Sequence, residues 1–378
     1  MTIAIVANAI APYTHKLFEE YGRRSGRRII VYQCTKREAN RLWDLNEPEH
    51  YELVTLRGLS RPTEVGYVHF NPGIVAQLAK DKPDIIIVAG FTPTMCAAAL
   101  YALATGRSFG IYFDGSRATD KGESSLPHGF LRRTLVPRAT FGICPSAGNR
   151  DLLRFWGMAA ERTKISPWLI PWDPPAELHS FAARRFDVIL SGQLSERKNP
   201  AFLVAVLERL RERGHMLSVR ITGHGPLRET IEPRLRACCS HVQFDGNLAQ
   251  KDLAEAYNSA RLLAFPTRLD AWGLVANEAA LCGTPVLASP HAVSSEELVA
   301  RFGLGIVCDL DIDRWCDAIL DILSSEARWR SFMKRRDEAL ASFSLERAVS
   351  SFAEGIALGG QLRKPGWRGE SLPVVAAE

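Results

Sequence analysis

The chain has 378 residues, 46% of them hydrophobic and 24% charged, with a formal net charge of +5. That length exceeds what a single core usually serves, so two domains are expected, and the composition excludes a fibrous or largely disordered chain. No apolar run approaches the roughly 20 residues that a membrane-spanning helix needs.

The start, Ile3-Ala4-Ile5-Val6, reads as a strand and carries neither the basic nor the apolar region of an export signal, so a cytoplasmic protein is expected. Strand-like apolar runs follow at residues 3–7, 28–33, 51–56, 85–89, 109–113 and 141–144. Residues 72–80 and the Ala-rich 95–104 read as helices between them. Residues 165–175 hold four prolines, which neither a helix interior nor a central strand accepts, and they mark a domain boundary.

A second α/β series comes next, with strands at 186–190, 217–222, 242–244 and 262–265 and helices at 200–213, 227–237 and 251–259. The alternation predicts an α/β chain of two Rossmann-like domains facing across a cleft. The expected division is 1–170, 171–345, and a helix and tail over 346–378 that crosses back to the first domain. The tail beyond Gly360 is expected to be partly disordered.

The eight cysteines form no CxxC pair, and the adjacent Cys238-Cys239 is a strained geometry for a disulfide, so free thiols are expected. The nine histidines lack metal-ligand spacing, so no metal is expected. Residues 1–175 hold about 22 Lys and Arg against about 16 Asp and Glu, with clusters at Arg23, Arg24, Arg27, Arg28 and at Arg132, Arg133, Arg138. These are either solvated helix faces or a surface for anionic lipid or a phosphate-bearing acceptor. Nucleic acid is not expected, because the cations are not interleaved with exposed-looking aromatics.

Three loops follow predicted strands. Ser191-Gly192-Gln193 leads to Arg197-Lys198-Asn199-Pro200, a turn with two cations suited to a diphosphate, or else a solvated turn with a helix cap. Thr222-Gly223-His224-Gly225 resembles half of a dinucleotide fingerprint, with Asp245 downstream. Arg228 stands where the third glycine would be, which argues against that reading. The third loop runs Phe265-Pro266-Thr267-Arg268-Leu269-Asp270-Ala271-Trp272-Gly273-Leu274 into a helix carrying Glu278, and then Gly283-Thr284-Pro285-Val286. Asp270 and Glu278 are separated by seven residues, and free amides at the helix start suit an anion.

Taken together, residues 186–290 resemble the C-terminal nucleotide-sugar domain of glycosyltransferase family 4, retaining enzymes of GT-B fold. The resemblance implies that Gly192, Gly223 and Gly225 lie at the donor. Glu278 would bind the donor ribose, and Asp270 the donor sugar. The amides of Ala271, Trp272, Gly273 and Leu274 would meet sugar and diphosphate, and Lys198 with Arg197 would neutralise the leaving diphosphate. Asp270 is one methylene shorter than the Glu of that pattern, Gln193 replaces its Arg, and Asn8-Ala9-Ile10-Ala11-Pro12-Tyr13 lacks its glycine pair. Asp114 stands near the position of a sugar-binding His and is the acceptor-side candidate. The implied activity is metal-independent transfer from a nucleotide-diphosphate sugar, expected to be a UDP-sugar. The implied acceptor is a saccharide or polyprenyl-linked saccharide of surface polysaccharide assembly, reached at the inner membrane face. A GT-B epimerase or hydrolase and a non-catalytic GT-B subunit are the alternatives.

Overall fold

Strands buried on both faces must be covered by helices on both sides, and the apolar runs of this chain form two such sheets. The computed structural model describes residues 1–36, 45–63, 66–117, 119–120 and 122–361; the expected tail lies outside them. The first half runs β1 (Thr2–Ala7), α1 (Pro12–Ser25), β2 (Arg28–Gln33), β3 (Glu52–Thr55), β4 (Leu59–Thr63), β5 (Gly66–Phe70), α2 (Ile74–Asp81), β6 (Ile85–Val88), α3 (Pro93–Ala104), β7 (Ser108–Tyr112), α4 (Leu126–Leu135), β8 (Phe141–Cys144), α5 (Ala147–Phe155) and β9 (Thr163–Ile165). Seven of these strands form a parallel sheet in the order β3-β2-β1-β6-β7-β8-β9. Ile5 pairs with Val31 on one side and Ile87 on the other, which places three β-branched side chains abreast in the core. Strands β4 and β5 form a separate antiparallel hairpin.

The second half runs β10 (Phe186–Ser191), α6 (Pro200–Glu212), β11 (Ser218–Thr222), α7 (Arg228–Cys238), β12 (His241–Gly246), α8 (Gln250–Asn258), β13 (Ala260–Phe265), α9 (Leu274–Leu281), β14 (Val286–Ala288), a turn of π-helix (Ser295–Ala300), β15 (Gly305–Val307), α10 (Ile312–Leu323), α11 (Glu326–Ser331), α12 (Arg336–Ser342) and α13 (Leu345–Gln361). Its sheet is parallel in the order β12-β11-β10-β13-β14-β15. Both sheets reverse strand order beside their first strand, at β1/β6 and at β10/β13, which opens a crevice at the strand carboxyl ends.

The proline segment carries the chain between halves, with one tryptophan anchored in each. Trp168 and Leu169 are buried in the first half's core, whereas Trp172 packs on the second half's. After Phe343, which packs against the cores of both halves, the chain crosses back, and α13 lies against α1, β7, β8 and β9. Gly355 and Gly359, one turn apart, allow the approach: a Cβ at either would lie 2.6 Å from Ile143 or 2.5 Å from Phe141. Phe352 fills the seam between Phe18, Tyr21 and Tyr112. Arg24–Glu346 at 2.6 Å and Lys164–Glu354 at 2.8 Å flank it.

Candidate active site in the cleft

A cavity of about 1040 Å³ fills the space between the two strand-end crevices. The first half contributes Tyr13, Phe113, Asp114 and Arg132 to its wall, and the second half Gln193, Arg197, Lys198 and residues 269–275. Of the sequence candidates, Arg197, Lys198, Asp270, Ala271, Trp272, Gly273, Leu274 and Asp114 therefore share one cavity.

On the second-half side the site is built at the start of α9. Gly273 adopts a φ of 96°, and a Cβ there would come within 2.7 Å of the Phe265 ring and 2.8 Å of Ser294 Oγ, so only glycine fits. The first bond inside the helix runs from Ala276 N–H to Gly273 O at 3.0 Å, leaving the amides of Leu274 and Val275 ahead of it. No acidic residue stands in that first turn, so the positive end of the helix faces the cavity unneutralised. The Trp272 ring is buried against Phe343, and its Nε1–H donates to Asn277 Oδ1 at 2.8 Å.

The cations arrive on the loop before α6. Lys198 Nζ donates to the Asp270 carboxylate and lies 5.3 Å from the Phe265 ring centre, and Arg197 Nη1 is 3.4 Å from the same carboxylate. The two loops are tied by main chain, with Arg268 N–H donating to Arg197 O at 2.8 Å. An arriving diphosphate would thus find two cations and two free amides around one carboxylate.

Three of the expected donor glycines also have a packing task. Gly192, Gly223 and Gly225 lie outside the cavity wall. A Cβ on Gly223 would stand 2.0 Å from Gly192 O, and one on Gly225 would stand 2.3 Å from Leu194 O. They let the loops after β10 and β11 touch each other. Asp245 is likewise spent: its Oδ2 accepts from Arg220 Nε at 2.7 Å in a buried pair, so it offers nothing to a dinucleotide ribose.

Glu278 stands one turn into α9, outside the cavity wall, and its Oε2 accepts from Tyr257 Oη at 2.7 Å. Burial pushes its carboxyl above the usual range, against the downward pull of the Tyr257 hydroxyl and the Lys198 charge. Beneath it lies a residue the sequence reading missed. Arg184 is 1% exposed, and its guanidinium donates to six oxygens. These are the carbonyls of His179, Tyr257, Ala260, Cys282 and Gly283, and Thr284 Oγ1. Thr284 Oγ1 in turn donates to Tyr257 O at 2.8 Å, so the Gly283-Thr284-Pro285 turn serves to lock α8 and α9 together under Glu278. Burial lowers the Arg184 pKa to about 10. The Thr284 turn was visible in the sequence; its cation, about a hundred residues earlier beside a second arginine, carried no signal.

On the first-half side Asp114 follows β7, and Asn149 Nδ2 holds the turn by donating to Asp114 O and Gly115 O, both at 2.8 Å. The basic clusters require correction. Arg132 is buried: Asp120 Oδ1 accepts from its Nε at 3.1 Å and its Nη2 at 2.7 Å, and Trp156 Nε1–H donates to Asp120 Oδ2 at 2.9 Å. Arg23 and Arg24 share Glu20, and Arg28 pairs with Glu52. Arg133 and Arg138 are exposed. Among the described residues, no cluster of three His, Cys, Asp or Glu is placed for a metal, and no helix is long and apolar enough to cross a membrane.

Two parallel Rossmann-like halves opening on one cleft define the GT-B fold. The crystal structure of Anabaena HepE in complex with UDP is similar over 94% of this chain and 100% of that one, with a TM-score of 0.72 and 15% identity. Residues 179–339, the span that holds Lys198, Asp270 and Glu278, match the family model described as Glycosyl transferases group 1. The chain is 30% identical over 151 residues to the GDP-mannose-dependent alpha-(1-6)-phosphatidylinositol monomannoside mannosyltransferase of Mycobacterium tuberculosis, covering 37% of this chain and 39% of that protein. It is 28% identical over 164 residues to the D-inositol 3-phosphate glycosyltransferase of Pseudarthrobacter chlorophenolicus, covering 38% of each. The match spans well under half the length of these curated relatives.

Proposed function

We propose that the protein is a retaining, metal-independent glycosyltransferase that moves a sugar from a nucleotide-diphosphate sugar to a saccharide or lipid-linked saccharide. The observation that carries the reading is the convergence of Lys198, Arg197 and the open start of α9 on one point of the cleft, opposite Asp114. In the transfer, the bond between the sugar C1 and the diphosphate oxygen breaks, and the electron pair stays with the leaving phosphate. Lys198, Arg197 and the α9 amides receive that charge. The acceptor hydroxyl bonds C1 on the face the phosphate left and gives its proton to the leaving phosphate oxygen. The protein positions and neutralises; no side chain needs to act as nucleophile. Asp270 orients the donor sugar, Glu278 the ribose, and Asp114 the acceptor.

Uridine is the base we propose, supported by the likeness to HepE over the whole chain, although a matched relative is GDP-mannose-dependent. We place the acceptor in surface polysaccharide assembly at the inner membrane face. Exposed Leu126 and Phe130 stand on one face of α4 with the exposed Arg133, a surface that suits an anionic bilayer. Titration with UDP and GDP tests the donor reading: one of the two must bind, and Lys198→Ala must weaken it. Flotation with anionic vesicles tests the membrane reading, which fails if no salt-sensitive binding is seen.

A further inference from the structure

One contact between the halves stands apart from the catalytic groups. The turn of π-helix that follows the donor loop carries Glu297, and its carboxylate reaches across to the first half. Oε2 accepts from Ala147 N–H at 3.1 Å, and Oε1 from Gly148 N–H at 2.9 Å. These are the first two amides of α5, which have no partner within their own helix, so an anion from the other half closes them.

Each end of this contact is wired to one wall of the cleft. On the second-half side, Ser294 N–H donates to Trp272 O at 3.0 Å, and Ser294 Oγ donates to Gly273 O at 3.2 Å. Asp270 N–H donates to His291 O at 2.9 Å. Residues 291–294 are therefore bonded to the loop that would hold the donor. On the first-half side, the next residue of α5 after the clasped amides is Asn149, fully buried, whose amide group holds both carbonyls of the Asp114–Gly115 turn. Ser146 Oγ caps the same helix by accepting from Asn149 N–H at 3.1 Å, so the first turn of α5 moves as one piece. A single carboxylate thus links the donor loop to the acceptor-side turn. A π-turn is a rare local geometry, and here it aims that carboxylate.

We propose that Glu297 is a positioning residue that clasps the two halves and transmits the state of the donor loop to the Asp114 turn. It touches neither substrate; it acts through Ser294 on one side and Asn149 on the other. The proposal rests on the nucleotide-sugar reading for its direction of signalling, whereas the clasp itself does not.

Hydrogen exchange on the full chain, with and without saturating UDP, or GDP if only that binds, tests it. In the wild type, nucleotide is expected to slow exchange at residues 113–116, across the cleft from where it binds. In Glu297→Ala the nucleotide affinity should stay within about twofold of wild type, because no donor group is removed. The Ala147 and Gly148 amides should exchange about tenfold faster, and the nucleotide effect at 113–116 should vanish. Glu297→Gln, which keeps one accepting oxygen, should fall between the two. The exposed neighbour variant Glu296→Ala should match wild type. Equal protection of 113–116 by nucleotide in wild type and Glu297→Ala would overturn the coupling. Unchanged exchange at Ala147 and Gly148 in Glu297→Ala without nucleotide would overturn the clasp. Failure of both nucleotides to bind the wild type would instead remove the glycosyltransferase reading, and the nucleotide-free comparison would still decide the clasp.

Discussion

Replacing Arg184 by Met keeps the apolar length of the side chain and removes all six of its hydrogen bonds. Tyr257 O keeps Thr284 as donor and Thr284 Oγ1 keeps its own donation, so the chief losses fall on the carbonyls of His179, Ala260, Cys282 and Gly283. At about 1 kcal/mol net for each, the loss is about 4 kcal/mol. Relief of the buried charge, whose cost shows in the depressed Arg184 pKa of about 10, offsets part of it. A net destabilisation of about 2–4 kcal/mol is expected, confined to the second half. Hydrogen exchange of the second-half strand amides in rising urea measures it without assuming that both halves melt together. Arg184→Lys, with three donors on one atom, should lose less. Nucleotide affinity should fall with Met, since the carbonyls of Cys282 and Gly283 at the end of α9 lose the guanidinium that ties them to the Tyr257 and Ala260 carbonyls at the end of α8. A Met variant within about 1 kcal/mol of wild type, binding nucleotide as well, would refute the keystone role.

Lys198→Ala should weaken nucleoside diphosphate binding by about tenfold to a hundredfold, measured by calorimetry, with unfolding midpoints nearly unchanged. Gly223→Ala would set a Cβ 2.0 Å from Gly192 O at a φ of 115°, and thermal melting should show a loss of about 2–3 kcal/mol or failure to fold. Because burial raises the Glu278 carboxyl, the folded chain keeps a proton that the unfolded chain releases above its ordinary value near 4.5, so stability falls as pH rises through the raised value. Glu278→Gln should flatten that fall in urea midpoints taken between pH 4 and 8, while weakening nucleotide binding; an unchanged slope would count against the burial argument.

The sheets were legible because a parallel sheet covered on both faces demands near-continuous apolar runs, and β1, β6, β10 and β13 are such runs. Strands β9, β14 and β15 were not, being three residues each and too short to show a period. Every residue of β4 is exposed and Pro62 sits within it, so it had no core-facing pattern to read. Lys198, Asp270 and the Gly273 turn were visible because the site is made of short local loops. Arg184, Asn149 and the Asp120–Arg132–Trp156 cluster were not, because each joins segments far apart in sequence through ordinary polar residues. The same distance hid the packing of Gly223 and Gly225, whose neighbour is another loop.

The return of α13 to the first half means that two separate segments bridge the halves, near residues 169–172 and 343–345. Bodies joined by one tether can swivel freely, whereas bodies joined by two can only swing about the line through both, like a door on two pins. Opening of the cleft therefore has a single easy direction. The same return sets an order on biosynthesis. Phe141, Ile143 and Tyr112 wait for Phe352, Gly355 and Gly359 to leave the ribosome, long after their own sheet has been made, so the first half is finished only after the second has begun to fold.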